Sequence, residues 1–255
     1  MRNILTICRR ELYSYFVSPI AWVLLTIFAL LSGGFTTLIT VAFVKASLEG
    51  QMTGQQMTMN VNEQVIGPLF SNMAVVSLFL IPLISMRLFA EEKRQGTIEL
   101  LITSPVHDLE IILGKWLSAV IMYAALLFIL FLDYLFLFAY GQPDWRPVAT
   151  GFLGIFLQGA CLLALGTFVS SLTRNQIVAG AIGFSLSLLL WILNWTTSFG
   201  NSPTVQFFNY LSIVSHFDSF VRGVIDTKDV IYYLSMIFLG LFLTSRSLES
   251  LRWRA

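Results

Sequence analysis

Long apolar segments alternate with shorter polar ones along nearly the whole chain. Six of the apolar segments come close to the roughly 17–25 residues that a helix needs to cross the hydrocarbon core of a bilayer. The pattern therefore predicts an all-α membrane protein, with one transmembrane domain over 1–255. The predicted spans are 20–44, 67–88, 111–140, 148–172, 177–195 and 230–245.

The first 18 residues carry a different pattern. Apolar side chains recur there at helical spacing, at Ile4, Cys8, Leu12, Tyr15 and Phe16. Three charged residues, Arg9, Arg10 and Glu11, lie off that line. This pattern predicts a helix over 1–18 that lies in the membrane interface with its basic side toward the lipid headgroups. A disordered basic leader is the alternative.

The polar stretch 196–229 contains a helical stripe without being apolar enough to face lipid. The stripe is Phe207, Leu211, Val214, Phe217, Val221 and Val224. Non-helical backbone at membrane depth must be buried in protein or face water. The stretch is therefore predicted to be a re-entrant helical hairpin. A helix lying flat on the outer leaflet fits the pattern equally well.

Composition agrees with a bilayer protein. Of the 255 residues 56% are hydrophobic and 11% charged, whereas about 25% of an average soluble domain is charged. The net charge of +1 gives no electrostatic reason to expect nucleic-acid binding. Cys8 and Cys161 lie far apart in unlike contexts, which makes a disulfide or a metal site a poor interpretation.

Basic residues set the predicted orientation. With six spans both termini share a side, and that side holds 11 of the 15 basic residues. The positive-inside rule then places both termini in the cytoplasm. Only four basic residues fall on the outer side, namely Lys45, Arg146, Arg222 and Lys228.

The sequence lacks the motifs of a membrane enzyme. Gly114-Lys115 is followed by Trp116, so there is no GxxxxGK[ST] phosphate loop. GxSxG and HExxH are also absent, and the two histidines, His107 and His216, are predicted on opposite sides of the membrane. An enzyme is disfavoured, because a nucleophile–base or metal constellation is missing.

Asp133 is the one acid deep within an apolar run, LLFILFLDYLFLF. Burying a carboxylate in lipid costs a few kcal/mol, roughly 2.5–3.5. One interpretation is a polar point on a translocation pathway or a proton relay. The other is a carboxylate that faces the helix bundle or sits near the end of a tilted span.

The densest group of charges lies at 86–105, MRLFAEEKRQGTIELLITSP, between the second and third spans. It predicts a helix that continues out of the second span and bends at Gly96, followed by a short apolar ridge. A ridge rimmed by charges on the cytoplasmic side suits docking into a groove on a soluble partner. The alternative is a solvated helix that only joins two spans.

The segment EEKRQGTIELLITSP resembles the signature of ABC-2 type transporter permeases. More narrowly, RELYSYFVSPIAWV, MRLFAEEKRQGTIELL and HFDSFVRGVIDTKDVIYYLS are similar to the gliding-motility-associated permease subgroup. The resemblance implies six transmembrane helices of the ABC-2 (type V exporter-like) fold, with an N-terminal interfacial helix, a cytoplasmic coupling helix within 89–110 and an outer re-entrant hairpin.

The resemblance also implies roles for residues. Contact with an ATPase would fall to Glu91, Glu92, Lys93, Arg94, Gly96, Thr97, Ile98, Glu99, Leu100 and Leu101. Arg9, Arg10 and Glu11 would form a second contact or rest against headgroups. The outer gate hairpin would consist of His216, Phe217, Phe220, Val221 and Arg222.

By the same resemblance the chain would be the permease subunit of an exporter in a bacterial inner membrane. It would work with two ABC ATPase subunits, a second permease copy or homologue, membrane lipid and an extracytoplasmic auxiliary protein. ATP and Mg would be bound by the ATPases, and this chain would bind no cofactor. Two alternatives stay open: a mechanotransmitting or assembly subunit that acts on an outer partner without transport, and a secondary transporter that needs no ATPase.

Overall fold

The computed structural model describes residues 2–53, 60–98, 106–141, 143–195 and 202–252. Within these ranges the chain forms ten α-helices, one π-helical turn and no strands. The helices are α1 (Arg2–Val17), α2 (Pro19–Thr53), α3 (Gly67–Ser85), α4 (Ala90–Gln95), α5 (Asp108–Gly141), α6 (Trp145–Leu172), α7 (Gln176–Ile192), α8 (Pro203–Leu211), α9 (Ile213–Val221) and α10 (Thr227–Arg252). The π-helical turn, Asn62–Ile66, leads directly into α3.

Six helical stretches are long and apolar enough to cross a membrane, which confirms the predicted fold class. They are α2, the stretch Asn62–Gln95 around α3, and α5, α6, α7 and α10. Several helices extend beyond the predicted spans, whereas α3 and α7 end three residues short of them. α2 continues from the predicted end at Val44 to Thr53, and α10 covers Thr227–Arg252 where 230–245 was expected.

The helices α3 and α6 form the centre of the bundle. In their most apolar stretches 67% and 72% of the residues are buried, against 17–22% in α2, α7 and α10. The outward faces of those three helices are apolar, for example at Leu38, Leu189 and Phe238. Apolar outward faces are what a bilayer requires, because lipid tails are as apolar as leucine.

Small residues bring α6 close to its neighbours. A Cβ built on Gly159 would lie 2.0 Å from the ring of Tyr123 on α5. On the other side, a Cβ on Gly240 of α10 would lie 2.8 Å from the backbone of Ala164. Close backbone contact through small residues is the usual way for helices to pack within lipid.

The two ends of the bundle differ. At one end lie α1, the turn between α3 and α4, the start of α5 and the last turn of α6; this is called the α1 end. The opposite end carries α8, α9 and the start of α10, and is called the α9 end. The predicted helix through 86–94 is interrupted, because a turn at 86–89 separates α3 from α4.

Candidate functional site

The charged segment at the α1 end is held against α6 by one serine. Ser170 Oγ accepts hydrogen bonds from the backbone N–H groups of Phe89 (3.0 Å) and Ala90 (3.1 Å), and donates to the carbonyl of Met86 (2.9 Å). The start of α4 has no side-chain cap of its own. Ser170 therefore satisfies N–H groups that the first turn of a helix leaves without partners, and it fixes the turn between α3 and α4.

Lys115 on α5 is the buried centre of the site. Its side chain is 1% exposed, and its Nζ lies 2.7 Å from the Leu88 carbonyl, 3.0 Å from Glu11 Oε1 and 2.9 Å from Glu92 Oε1. An ammonium has three donors, and each finds an acceptor here. An unpaired charge at such a position would cost several kcal/mol, about 3–5 by mutational measurements. Lys115 thus joins α1, α4, α5 and the α3–α4 turn.

Arg10 completes this group from the solvent side. Its guanidinium lies 2.9 Å from Glu11 Oε1 and 3.3 Å from Glu92 Oε1, and its side chain is 58% exposed. Arg10, Glu11, Glu92 and Lys115 are called the ion cluster below. Burial by itself raises the pKa of the Glu11 carboxyl, but Lys115 and Arg10 outweigh that effect and hold the pKa below its ordinary 4.5. The two acids and two bases balance in charge.

A second set of contacts fixes α1 against the end of α3. The Tyr15 hydroxyl donates to the Ile84 carbonyl at 2.8 Å, and burial raises the pKa of this phenol. The Arg87 guanidinium lies 4.7 Å from the centre of the Tyr15 ring, donates to Ser14 Oγ at 3.0 Å and lies 3.4 Å from Glu91 Oε2. The α1 helix is therefore attached to α3 as well as to α5.

The helix α4 ends at Gly96, the residue at which the sequence predicts a bend. Its φ is +73°, a left-handed conformation that glycine adopts without steric cost, and its N–H donates to the Glu92 carbonyl. Thr97 N–H donates to the same carbonyl at 3.1 Å. Residues 94–97, on either side of this turn, are exposed.

Of the other predicted coupling residues, some pack against the bundle and one is exposed. The Lys93 ammonium donates to the Ser171 carbonyl at the end of α6. The Arg94 side chain is exposed, and Ile98 packs against the hydrophobic core. The remaining three, Glu99, Leu100 and Leu101, lie outside the described residues.

A cavity of about 740 Å³ opens beside the ion cluster, between α1, α4 and α5. Its wall includes Arg10, Glu11, Arg87, Gln95, Thr97 and Lys115. Glu92 lines it too, and the second oxygen of its carboxylate is buried without a hydrogen-bond partner in the described part of the chain. Charged side chains of both signs line the cavity, together with apolar ones such as Ile7 and Ile111.

The structure brings together residues that the sequence placed in two separate groups. Arg10 and Glu11, predicted as an N-terminal contact, meet Glu92 of the predicted coupling segment, while Arg9 stays exposed. Sequence reasoning missed Lys115. The available signal was a lysine in the first turns of a transmembrane segment, which is costly unless it has a partner.

At the α9 end, the predicted gate hairpin consists of two short helices separated at Ser212. Phe217 and Phe220 are buried and Val221 is partly buried. Phe220 packs on α6, where its carbonyl accepts a hydrogen bond from Thr150 at 2.8 Å. Arg222 is exposed. The hairpin is thus attached to the bundle by one buried side.

A buried histidine connects this hairpin to α10. His216 Nδ1 lies 2.7 Å from Asp229 Oδ1, and the two residues are 4% and 0% exposed. His216 Nε2 lies 2.9 Å from the Tyr210 carbonyl, which can only accept, so this nitrogen carries a hydrogen. The Tyr232 ring stacks on the imidazole at 3.9 Å between centroids. These contacts tie α8 and α9 to the first turns of α10.

The remaining predicted residue, Asp133, lies in α5 between the two ends and joins neither the ion cluster nor the His216 contact. No group of three or more His, Cys, Asp or Glu suited to a metal occurs within the described ranges. In the same ranges both cysteines are buried and free.

The family model of ABC-2 family transporter proteins matches residues 5–245, nearly the whole chain. The chain belongs to the ABC-2 transporter family. A comparison with curated proteins gives no significant match. As an ABC-2 family protein with six apolar spanning helices, it is a multi-pass membrane permease. Membership of the gliding-motility-associated subgroup stays a prediction.

Proposed function

We propose that this ABC-2 permease is the membrane subunit of an ATP-driven exporter that works with two separate ATPase subunits and a second permease. Its termini lie in the cytoplasm of a bacterial cell, and the α1 end faces the ATPases. The distribution of basic residues supports this orientation, since Arg10, Arg87, Lys93 and Lys115 all lie at the α1 end.

The observation that carries the proposal is the attachment of α4 to three other helices of the bundle. Ser170 holds its first turn to α6, and Lys115 holds Glu92 to α5. Arg10 bridges α4 to α1. A displacement of α4 is therefore passed on to α1, α5 and α6 through these contacts.

The exposed side of α4 and the residues that follow it supply the ATPase contact. Residues 94–97 are exposed and polar, and the ridge predicted at Leu100 and Leu101 follows directly in the sequence. Closure of the ATPases on ATP and Mg pushes this surface. The ion cluster passes the push to the spanning helices, which tilt as rigid bodies.

The hairpin at the α9 end closes the exit in this mechanism. Its buried side rests on α6 through Phe220, and α6 in turn carries Ser170 at its other end. One central helix thus contacts both the ATPase-facing turn and the exit hairpin. A shift of α6 would move the hairpin and release cargo outward.

The test is purification of the tagged full-length chain from its own host. The expected result is co-purification of an ABC ATPase, identified by its phosphate-loop peptide in mass spectrometry. Leu100→Asp with Leu101→Asp should abolish that co-purification while the chain still inserts in the membrane. The matched control is Ser202→Asp with Thr204→Asp, two exposed positions at the α9 end. Undiminished ATPase recovery from the leucine variant would refute the docking assignment.

Force transmission to an outer partner is the second candidate, and one observation favours it. None of the α8 residues is buried, and the helix exposes Phe207 (61%) and Tyr210 (55%) at the α9 end. Large exposed aromatic side chains are enriched in protein interfaces. Recovery of one extracytoplasmic protein with the permease, and its loss in Phe207→Ser, would favour this candidate over export alone.

A further inference from the structure

The contact between His216 on α9 and Asp229 on α10 requires two hydrogens on the imidazole–carboxylate pair. His216 Nε2 donates to the Tyr210 carbonyl at 2.9 Å, which places one hydrogen on that nitrogen. The other ring nitrogen, Nδ1, lies 2.7 Å from Asp229 Oδ1. Two bare lone pairs would repel each other at this distance, so a second hydrogen lies between these two atoms.

The second hydrogen can be placed on either residue with the same result. On Nδ1 it makes an imidazolium that faces a carboxylate, and on Asp229 it makes a carboxylic acid that faces a neutral imidazole. Both arrangements are neutral in total. A histidine and an aspartate that are separate in water hold one proton fewer at neutral pH, because histidine is mostly neutral above about pH 6.5 and aspartate is ionised above about pH 4. The closed pair therefore holds one extra proton.

The pair is buried and has to balance its own charge. His216 is 4% exposed and Asp229 0%, and the second carboxylate oxygen, Oδ2, is buried with no hydrogen-bond partner among the described residues. Without the extra proton a lone carboxylate would be buried here, which is strongly unfavourable. The charged residues next to the pair in sequence are exposed and contact each other, Lys228 with Asp226 at 2.9 Å and Arg222 with Asp218 at 3.8 Å.

The helices packed against the pair add no buried charge within the described part of the chain. The helices α3 and α7 contact α9 and contain no titratable residue. The helix α6 contacts both α9 and α10, and its titratable residues are the exposed Arg146 and the buried, free Cys161. Four phenols surround the pair and are uncharged near neutral pH, namely Tyr123 on α5, Tyr210 on α8, and Tyr232 and Tyr233 on α10.

We propose that the His216–Asp229 pair is a proton-linked latch, which keeps the hairpin at the α9 end closed while the pair holds its extra proton. The closed state binds one proton more than the open state, so a rise in pH favours the open state. The ratio of open to closed hairpins should increase about tenfold per pH unit while the difference is one proton. Below about pH 6.5 the freed histidine is protonated too, so the dependence should flatten there.

The latch acts on transport only if the hairpin closes the exit, as proposed above. In that case the α9 end faces the outside, and the proton leaves to the outside when the exit opens. An acidic exterior would then hold the exit closed. The protonation of the pair and the opening of the hairpin can both be measured without an ATPase.

The first measurement follows the protonation of the natural chain by ¹⁵N NMR of labelled histidine in lipid nanodiscs. The chain has two histidines, and the exposed His107 at the α1 end is the internal reference. The variant His107→Gln assigns the two sets of signals. Between about pH 5.5 and about pH 8 the His107 signals should move, while those of His216 should stay constant with Nε2 protonated. His216 signals that move together with those of His107, or a ring hydrogen on Nδ1 alone, would overturn the extra proton.

The second measurement follows the opening of the hairpin by hydrogen exchange of α9 amides. The exchange rate is divided by that of the same peptide when unfolded at the same pH. In the natural chain this ratio should rise about tenfold per pH unit above neutral pH. A peptide from α6 reports unfolding of the bundle, and its ratio should stay constant.

The matched control is Asp229→Asn. A neutral imidazole with its hydrogen on Nε2 can accept a hydrogen bond from the asparagine amide at Nδ1, so this pair needs no extra proton. The α9 ratio in this variant should therefore not depend on pH. A ratio that stays constant with pH in the natural chain, or that rises equally in Asp229→Asn, would overturn the latch. If the variant failed to fold, the NMR signals and the α9 ratio of the natural chain would still decide. Neither measurement involves an ATPase, so a negative result would leave the proposed export function standing.

Discussion

Lys115 on α5 lies 2.9 Å from Glu92 on α4, although its side chain is only 1% exposed. The pair forms where a helix that crosses the membrane meets the short helix that we propose transmits force from the ATPase. A buried lysine is tolerated only because Glu92, Glu11 and the Leu88 carbonyl surround its ammonium. The ion cluster is thus both a structural requirement and the connection between α4 and the bundle.

Replacing the buried lysine should destabilise the protein strongly. Lys115→Met keeps most of the side-chain volume but leaves Glu11 and Glu92 close together without their buried cation. The expected loss is about 3–5 kcal/mol, the usual cost of breaking a buried ion pair. Thermal unfolding in detergent, followed by size-exclusion chromatography, measures the drop in Tm.

The control is Lys45→Met, at an exposed position on α2. Its Tm should stay close to that of the natural chain. Combining Lys115→Met with Glu92→Gln should recover part of the lost stability, because Arg10 then faces one carboxylate, Glu11, instead of two. A Tm in Lys115→Met equal to that of the control would contradict the assigned role of the ion cluster.

Stability should depend on pH through Glu11. Burial raises the pKa of this carboxyl, but Lys115 and Arg10 bring it below the ordinary 4.5, so folding favours the ionised form. Such a group stabilises the fold above the ordinary pKa, and its contribution is lost as the pH falls through the lower folded pKa. The Tm of the natural chain should therefore exceed that of Glu11→Gln at neutral pH, and the gap should narrow below about pH 4.5.

Unfolding scans of both chains between neutral pH and pH 3.5 would measure this gap. Glu63→Gln serves as the comparison, because Glu63 is exposed near the α9 end. Its difference from the natural chain should be small across the range. A Glu11→Gln gap that widens on acidification would show that the sign is wrong.

The sequence predicts the features of the fold and the site that depend on neighbouring residues, and it does not predict contacts between residues far apart along the chain. Six spans and an amphipathic N-terminus follow from local hydropathy, and the bend at Gly96 follows from local conformational preference. The ion cluster does not, because Glu11 and Lys115 are 104 residues apart and meet only through the crossing of α1 and α5. Ser170 is an equally clear case. In the sequence it is one small polar residue among others, and only the packing of α6 shows that it caps α4.

Adding a methyl group where α6 and α10 cross should lower the stability of the protein. In Gly240→Ala the new Cβ would lie 2.8 Å from the Ala164 backbone, which cannot move aside as a side chain end can. Overpacking of this kind costs about 1–3 kcal/mol. Gly33→Ala is the matched control on α2, where a Cβ meets nothing within 4 Å. Equal Tm values for the two variants would contradict the close crossing.

The His216–Asp229 pair should hold the hairpin at the α9 end. His216→Ala leaves a fully buried carboxylate without its partner and removes the ring that stacks on Tyr232, so a loss of about 3–5 kcal/mol is expected. Limited proteolysis should then cut within 196–229 at a higher rate than in the natural chain. Arg222→Ala, at an exposed position of the same hairpin, should leave the cleavage rate unchanged.

A double variant, His216→Ala with Asp229→Asn, tests whether the two residues act as a pair. Its loss of stability should be smaller than the sum of the losses in the two single variants, because both changes remove the same interaction. Strict additivity would mean that the two residues stabilise the hairpin independently, which would contradict this prediction.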